Sequence, residues 1–320
     1  MFIQQAFKAK HDWWRYIIGI FITVAAIILG QIPLTVAIIV WGDVDLMNLD
    51  QTTMMQALEP NLFFFLLLLS YACAFVGLLF AIRYVHGQPI LEATTSRRKF
   101  DWGRVGFGFS VVAIFTLVFF GFDYYSNPEA YVWNFKPIPF LILVVITLVM
   151  VPLQTSWEEY LFRGYLMQGL GLLARNRWVP LILTSVVFGM LHLSNPEVGQ
   201  LGEYIMAIYI GTGFMLGIMT LMDEGMELAL GYHAGNNMVA ALLVTADWTA
   251  FQTHSLFKDV SDPSVTGFEI ATQVLIYFPA ILWLMAWKYK WTDWRGKLFG
   301  KVVPPKIEEN PVLPQDDRWS

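Results

Sequence analysis

Long runs of apolar residues follow one another along most of the chain, and each is close to the length that a membrane-spanning helix needs. Such a helix takes about 20 predominantly apolar residues to cross a hydrocarbon core ~30 Å thick. Seven runs fit this pattern: Tyr16–Trp41, Leu62–Ile82, Val105–Phe122, Trp178–Leu193, Tyr204–Met222, Met226–Ala246 and Phe268–Trp287. The pattern therefore predicts an all-α fold, a polytopic membrane helix bundle.

An eighth apolar run, Ile138–Ala174, is too long for one straight span and too short for two spans with a loop. It contains Pro152, and proline kinks helices. We interpret the run as one kinked crossing, which brings the bundle to about eight transmembrane helices. The alternative is a short span that ends near Pro152, followed by a re-entrant or interfacial helix. Residues 1–301 then form a single bundle, and residues 302–320, rich in proline and acidic residues, form a disordered cytoplasmic tail.

The composition excludes an ordinary soluble domain. Of the 320 residues, 57% are hydrophobic and 14% are charged, and the mean hydropathy is +0.54. Soluble domains carry roughly 25% charged residues. The net charge of −5 argues against a nucleic-acid partner, so the lipid bilayer is the expected environment. Cys73 is the only cysteine, which excludes a disulfide within the chain.

The basic residues predict the orientation of the bundle. If the N-terminus is cytoplasmic, the inner segments hold 17 of the 20 lysines and arginines, and the outer segments hold only Lys136 and Lys258. Cytoplasmic loops carry such an excess of basic residues. Both termini are therefore expected in the cytoplasm. The segment from Trp287 to Lys301 mixes aromatic and basic residues and is expected to lie on the inner leaflet.

A few ionisable and amide side chains interrupt the later apolar runs. Such residues are costly in a bilayer and mark functional sites. The run 138–174 contains three charged residues, the run 178–193 ends near a histidine, and the run 226–246 contains a histidine and two adjacent amides, Asn236 and Asn237. The candidate site residues are Glu158, Glu159, Arg163, His192, His233 and Asn237. The remaining histidines, His11, His86 and His254, fall in loops and are expected to be solvated.

Helical spacing predicts how these side chains are arranged. Glu159 and Arg163 are four residues apart, so they share one helix face and can pair. Glu158 is rotated by about 100° from Glu159, so the two carboxylates play different roles. His233 and Asn237 share a face in the same way. The small residues 231, 234 and 235 around them allow another helix to approach closely.

Depth in the membrane can be estimated from the rise of about 1.5 Å per residue. Counted from the basic turn at 175–177, Glu158 lies about 25 Å and His192 about 22 Å into the bundle. His233 lies only about 10 Å in from the same side. Tilting and kinking must close that gap if the side chains form one site.

Three readings of this cluster remain open from the residues alone. A glutamate–arginine pair can simply hold two helices together, as polar residues do between spans. Carboxylates with imidazoles also suit the activation of water, or a zinc site with one open position. Proton relays in transporters use the same residue types. Helix association alone does not account for the second carboxylate or for histidines on two further helices.

The three motifs resemble those of a known family. Glu158-Glu159-x-x-x-Arg163, Phe188-x-x-x-His192 and His233-x-x-x-Asn237 occur in this order on successive hydrophobic helices. This arrangement is similar to the CAAX-protease and bacteriocin-processing family of intramembrane endopeptidases, which includes the eukaryotic Ras-converting enzyme. The resemblance covers roughly residues 138–246, the motif-bearing core, about a third of the chain.

The resemblance implies a protease site within the membrane, open to the cytoplasmic side. By analogy, Glu158 and His192 activate the attacking water, while Glu159 and Arg163 support and orient that pair. His233 and Asn237 bind the oxyanion. The resemblance leaves open a metal-free glutamate mechanism or a metalloprotease, for which Glu158, His192 and His233 are the zinc candidates.

The expected partner is a peptide or protein substrate in or near the membrane. The expected location is the plasma (inner) membrane of a bacterium, as a multi-pass protein. The resemblance does not transfer prenylated CAAX tails as substrates, and leader peptides of bacteriocin-like precursors are an alternative. Two other functions remain as hypotheses, a non-proteolytic scaffold or bacteriocin self-immunity protein and a proton-coupled transporter.

Overall fold

The computed structural model describes residues 1–42 and 51–304, and its main elements are long helices. We number the eight principal helices of these residues as α1 (Trp13–Trp41), α2 (Pro60–Val85), α3 (Trp102–Ser126), α4 (Pro137–Ala174), α5 (Trp178–Met190), α6 (Glu203–Asp223), α7 (Glu227–Leu243) and α8 (Gly267–Tyr289). Three of them include π-helical turns, at Ala81–Val85, Tyr160–Leu166 and Gln273–Tyr277. The first turn of α6, Glu203–Ile205, is a 3₁₀ helix.

Short elements connect the long helices. They comprise the 3₁₀ turns Ile3–Lys8 and Pro128–Ala130 and the short α-helices Gln51–Gln56, Ile90–Thr94, Pro196–Leu201 and Trp294–Phe299. Three short strands, β1 (Tyr131–Trp133), β2 (Val244–Thr245) and β3 (Phe257–Asp259), form a sheet in the order β1-β3-β2. In this sheet β1 runs antiparallel to β3, and β2 runs parallel to it.

The predicted all-α membrane bundle is confirmed. Six helices of the described residues are long and apolar enough to cross a membrane, namely α1, α2, α3, α4, α6 and α8. The remaining two predicted spans correspond to α5, with 13 residues, and α7, with 17 residues. At about 1.5 Å per residue these helices are about 20 Å and 26 Å long. Two of the eight predicted crossings are thus shorter than a full span.

The eighth apolar run forms one uninterrupted helical segment. Helix α4 spans 38 residues, about 57 Å at 1.5 Å per residue, almost twice the thickness of the hydrocarbon core. Pro152 lies inside this segment without ending it. Because the helix continues through Pro152 without a loop, the structure favours one long crossing over a short span followed by a second helix. The π-helical turn Tyr160–Leu166 follows Glu159 directly, and such turns occur frequently at functional sites.

Helix α7 lies close against α3 because glycines remove side chains from their contact. A Cβ atom on Gly231 would lie 2.0 Å from the backbone oxygen of Val105, and one on Gly108 would lie 2.5 Å from that of Leu228. The close approach expected around Gly231 is therefore made by α3. Helix α4 packs against both α2 and α7.

The connections rich in basic residues meet at one end of the bundle. Arg97 pairs with Asp223 at 2.6 Å and with Glu227 at 2.9 Å, and Arg104 contacts Asp223 at 2.8 Å. The indole nitrogen of Trp291 donates a hydrogen bond to the same Asp223 carboxylate at 3.1 Å. Asp223 thereby joins the segment before α3, the turn between α6 and α7, and the segment after α8. We refer to this end as the basic end.

The three-stranded sheet lies among the connections that the sequence assigns to the outer side. Its strands come from the loops before α4, after α7 and before α8. Lys258, one of the two basic residues assigned to that side, pairs there with Asp247 at 2.8 Å. The alternation of connections between the two ends agrees with the topology deduced from the basic residues.

The segment after α8 packs on the protein at the basic end. Its helix, Trp294–Phe299, carries Lys297, whose ammonium group donates to the backbone oxygen of Met222 at 2.7 Å. Val302, the first residue of the predicted tail, is only 1% exposed and donates its N–H to the backbone oxygen of Arg175. The folded part therefore extends past residue 301. Residues 305–320 of the predicted tail lie outside the described residues.

The expectation that His86 is solvated is wrong. Its side chain is 2% exposed, with Nδ1 2.7 Å from the backbone oxygen of Lys10 and Nε2 2.8 Å from the hydroxyl of Tyr165. The aromatic side chains of Tyr16 and Tyr165 cover the ring, at centroid distances of 4.4 and 5.2 Å. Chain position alone did not reveal this burial, because the covering residues come from α1 and α4.

Burial makes the folded protein sensitive to pH at His86. Desolvation lowers the pKa of this imidazole below its ordinary value of 6.5, so folding favours the neutral ring. The stability from this group is present above the unfolded pKa and is lost as pH falls below it, because the unfolded chain binds the proton more readily. We expect the thermal midpoint of the detergent-solubilised protein to fall less between about pH 8 and pH 5 in His86→Asn than in the unmutated protein.

The control for this experiment is His11→Asn, since His11 is exposed. The comparison uses the slope of the midpoint against pH, because His86→Asn also removes hydrogen bonds and lowers the midpoint at every pH. Equal slopes for His86→Asn and the unmutated protein would show that His86 does not contribute to the pH dependence.

Candidate active site

A fully buried ion pair lies at the centre of the polar cluster. Arg163 Nη1 donates to Glu159 Oε1 at 2.9 Å, and both side chains are at most 1% exposed. Arg163 Nη2 also donates to the backbone oxygen of Gly213 at 3.1 Å, so the pair connects α4 to α6. The guanidinium carbon lies 4.4 Å from the ring centroid of Phe188. The glutamate–arginine pair therefore does join two helices, which was one of the interpretations that the sequence left open.

His233 lies between the two carboxylates. Its Nδ1 is 2.8 Å from Glu159 Oε1, and its Nε2 is 3.3 Å from Glu158 Oε2. The histidine is 6% exposed, so water screens these interactions weakly. The depth difference estimated from the sequence is closed here, because α7 brings His233 into direct contact with α4. One imidazole thus links two carboxylates that point away from each other along α4.

The charges of the cluster nearly balance. Glu158 and Glu159 supply two negative charges when ionised, and Arg163 supplies one positive charge. Buried charges are costly unless they are paired. A proton on His233 would bring the net charge of these four groups to zero and would place one N–H toward each carboxylate.

Gln154 is a member of the site that sequence reasoning missed. Its Nε2 donates to Glu158 Oε1 at 2.8 Å, and its Oε1 accepts a hydrogen bond from Asn237 Nδ2 at 3.1 Å. Gln154 is 5% exposed and lies one turn before Glu158 on α4. A polar residue four positions from a carboxylate in an apolar run is a signal that could have identified it. Asn237 therefore reaches Glu158 through Gln154.

The structure corrects the position of His192. The sequence predicts it late in the fifth span, but α5 ends at Met190 and His192 lies in the turn that follows. Its backbone N–H bonds the Gly189 oxygen at 2.9 Å in a tightened i to i+3 pattern. Within the described residues, no hydrogen bond or ion pair joins His192 to Glu158. Of the six predicted residues, it is the one that the network does not include.

His192 has a defined orientation beside the network. Its Nδ1 lies 2.9 Å from the backbone oxygen of Phe188, so the proton of the neutral ring is on Nδ1 and Nε2 is free to accept a proton. The ring of Tyr209 stacks on the imidazole at 4.5 Å. The Phe188 ring lies 4.9 Å from His192 and 5.9 Å from His233, so it contacts both histidines.

Two carboxylate oxygens of the cluster are buried without a hydrogen bond in the described part of the chain. They are the Oε2 atoms of Glu158 and Glu159. Buried polar atoms are almost always hydrogen-bonded, and the exceptions are associated with catalytic roles. Of these two atoms, Glu158 Oε2 lies 3.3 Å from His233 Nε2.

The zinc candidates do not form a metal-binding set. Among residues 1–42 and 51–304, no three histidine, cysteine, aspartate or glutamate side chains are placed to hold a metal ion together. Both ring nitrogens of His233 face carboxylates, and Nδ1 of His192 faces a backbone oxygen. A three-ligand site would need a carboxylate and two imidazole nitrogens directed at one point. The geometry of Glu158, His192 and His233 does not fit zinc.

An apolar cavity of about 370 Å³ lies between helices α2, α3, α4 and α7. Its inner wall is formed by α4 and α7, including Ser156 and Ala234, which are near neighbours of Glu158 and His233 in the chain. Phe100 and Trp102 line it toward the basic end. The cavity therefore touches the same two helices that carry the polar network, α4 and α7.

Comparison with known proteins relates this chain to a protease family. Residues 137–239 match the family model described as type II CAAX prenyl endopeptidase Rce1-like. An uncharacterized protein of Bacillus subtilis, YyaK, is 31% identical over 245 residues, which cover 74% of this chain and 80% of the relative. No solved structure matches the chain significantly. The matched region contains all three motifs and Gln154, and the chain belongs to the Rce1-like family of type II CAAX prenyl endopeptidases.

Proposed function

We propose that this protein is an intramembrane endopeptidase that hydrolyses a peptide bond of a membrane-associated peptide or protein with water activated by Glu158. The observation that carries the proposal is the buried Oε2 atom of Glu158, which accepts no hydrogen bond from residues 1–42 or 51–304 and faces the imidazole of His233. Such an oxygen is available as a base. Membership of a CAAX endopeptidase family supports the same reaction class.

In the first step, water attacks the carbonyl carbon of the scissile bond while Glu158 Oε2 takes one of its protons. His192 orients the same water through Nε2, because its Nδ1 is held by the Phe188 backbone oxygen. His192 reaches the water in the substrate complex, since catalytic hydrogen bonds often tighten only when the substrate is bound. The products of this step are a tetrahedral oxyanion and a protonated Glu158.

In the second step, the oxyanion collapses and the carbon–nitrogen bond breaks. Glu158 returns its proton to the leaving amine, so no net proton is gained or lost. The second N–H of the Asn237 amide donates to the oxyanion, and the positive charge of a protonated His233 stabilises it electrostatically. The Glu159–Arg163 pair holds His233 in place through the 2.8 Å contact with Nδ1.

We further propose that the site opens toward the cytoplasm. The basic end carries most of the lysines and arginines, as cytoplasmic loops do, and the cavity between α2 and α3 is lined toward this end by Phe100 and Trp102. The protein is then a multi-pass protein of a bacterial plasma membrane with both termini inside, in agreement with its Bacillus relative. Whether a prenyl group is required on the substrate is decided by the assay below.

The first prediction concerns the base. Glu158→Gln keeps the outline of the side chain but removes its basicity, so we expect cleavage to fall by at least about 10²–10⁴-fold. The fold should persist, because the change removes a buried charge. The assay uses proteoliposomes with two internally quenched probes, a farnesylated peptide ending in a CAAX sequence and a mixed-sequence peptide library carrying an N-terminal acyl anchor.

The matched control is Glu92→Gln. Glu92 also has one buried carboxylate oxygen without a hydrogen bond, but it pairs with Lys8 outside the cluster. This variant should cleave at the normal rate. Unmutated protein that cleaves neither probe, or Glu158→Gln that cleaves as fast as the control, would overturn the proposed mechanism. Cleavage of the farnesylated probe alone would assign prenylated substrates.

The second prediction concerns the buried pair. Arg163→Ala leaves Glu159 without its guanidinium partner, and breaking a buried pair commonly costs about 3–5 kcal/mol. We expect a clear loss of thermal stability in detergent as well as loss of cleavage. In the Glu159→Gln background the same arginine substitution should cost much less, because no carboxylate is left unpaired. Equal costs in both backgrounds would show that the pair is not coupled.

The third prediction concerns orientation. In a Cys73→Ser background, single cysteines are introduced at two exposed positions, Gln200 and Lys290. We expect a membrane-impermeant maleimide to label Gln200→Cys in intact cells and Lys290→Cys only after permeabilisation. The reverse pattern would contradict the proposed topology and the cytoplasmic opening of the site.

A further inference from the structure

The amide of Gln154 bridges two helices of the cluster. It lies between Glu158 on α4 and Asn237 on α7, with hydrogen bonds of 2.8 Å and 3.1 Å. The family motifs include Glu158 and Asn237 but not Gln154. Among the described residues, no hydrogen bond joins Glu158 directly to Asn237. Gln154 therefore connects Asn237 of α7 to Glu158 by hydrogen bonds, beside the direct contact of His233 with Glu158.

The carboxylate of Glu158 determines which atoms donate and which accept in this series of hydrogen bonds. An ionised carboxylate only accepts hydrogen bonds, so Gln154 must present Nε2 to Glu158. Its Oε1 then faces α7 and requires a donor, which Asn237 supplies from Nδ2. The Asn237 Oδ1 atom accepts in turn from Asn236 at 3.1 Å. The ionised state of Glu158 thus sets the orientation of both amides.

The two oxygens of Glu158 become unequal as a result. Oε1 accepts from the Gln154 amide, whereas Oε2 is buried, accepts no hydrogen bond within the described part of the chain and lies 3.3 Å from His233 Nε2. We propose that Gln154 is a positioning residue that holds Oε1 of Glu158 and thereby assigns proton uptake to Oε2. This inference rests on the proposed function of Glu158 as the base and adds the residue that orients it.

Gln154 is a neutral group among the charged and titratable groups around Glu158. Helix α4 contributes Glu159 and Arg163, α7 contributes His233, and α2 contributes Tyr71. A hydrogen bond donated to a carboxylate favours its ionised form. Removing the amide while leaving the charges in place should therefore let Glu158 keep its proton to a higher pH.

Chemical labelling tests this effect without any substrate. Dicyclohexylcarbodiimide reacts with protonated carboxyl groups in apolar surroundings, and tandem mass spectrometry separates label on Glu158 from label on Glu159. In the full-length protein we expect Gln154→Met to move the pH midpoint of Glu158 labelling upward. The shorter amide of Gln154→Asn should act in the same direction, and it provides a second variant if the first does not fold.

The matched control is Gln168→Met. Gln168 is also a buried glutamine of α4, 1% exposed, and its amide accepts from Gln88 at 2.9 Å and donates to the Glu92 backbone oxygen at 3.1 Å. Its loss removes two hydrogen bonds from the same helix at a distance from Glu158. This variant should lose comparable stability and leave the labelling midpoint and cleavage unchanged.

Cleavage of the two quenched probes gives the second readout. Hydrogen bonds to charged groups are worth about 1.5–3 kcal/mol, which corresponds to roughly 10- to 100-fold in rate. We expect Gln154→Met to lower kcat by this factor with little change in KM, and to shift the acidic limb of the kcat/KM profile to higher pH. A residue that only supports the fold would lower the amount of active protein without moving the profile.

The outcomes separate this inference from the proposed function. An unchanged labelling midpoint and pH profile in both Gln154 variants would overturn the positioning role, even if Glu158→Gln abolishes cleavage. A shifted midpoint together with normal cleavage by Glu158→Gln would leave the hydrogen-bonded coupling intact and overturn the protease mechanism. A shifted midpoint and shifted profile, with Gln168→Met unchanged, would support the assignment of Gln154.

Discussion

The buried pair of Glu159 and Arg163 is the interaction on which the rest of the site depends. Separating two charges in a low-dielectric interior is costly, so neither side chain can leave the other without a large loss of stability. Arg163 is further held by the Gly213 backbone oxygen of α6, and Glu159 by His233 of α7. One ion pair on α4 therefore fixes the positions of three helices. The π-helical turn that begins directly after Glu159 lies within this arrangement.

Because Glu159 is committed to Arg163 and His233, Glu158 is left with a different environment one residue away. Its carboxylate meets a neutral amide on one oxygen and the second nitrogen of His233 on the other. The two adjacent glutamates share the imidazole of His233 but differ in their second partner. Glu159 pairs with the guanidinium of Arg163, whereas Glu158 accepts from the neutral amide of Gln154.

The bundle around this cluster is held at both ends. At the basic end Asp223 joins Arg97, Arg104 and Trp291, so the turn between α6 and α7 has a fixed position. Close contact of α7 with α3 through Gly231 then determines how α7 runs from that turn. His233 lies six residues after the start of α7, and this fixed start brings it to Glu159. A site near the middle of the bundle thus depends on contacts at its end.

Apolar run lengths, basic residues and helical spacing determined the helical membrane bundle, the two-ended arrangement of its connections and the pairing of Glu159 with Arg163, because these are local properties of a chain in a bilayer. Contacts between distant segments decided the rest. Spacing along α5 did not reveal that the helix ends before His192. Spacing along α4 did not reveal that Gln154 forms a hydrogen bond with Asn237 of α7. Residue spacing describes one helix at a time. The contacts of His233 with two carboxylates, the burial of His86 and the hydrogen bond between Gln154 and Asn237 all depend on how one helix faces another, which only tertiary packing specifies.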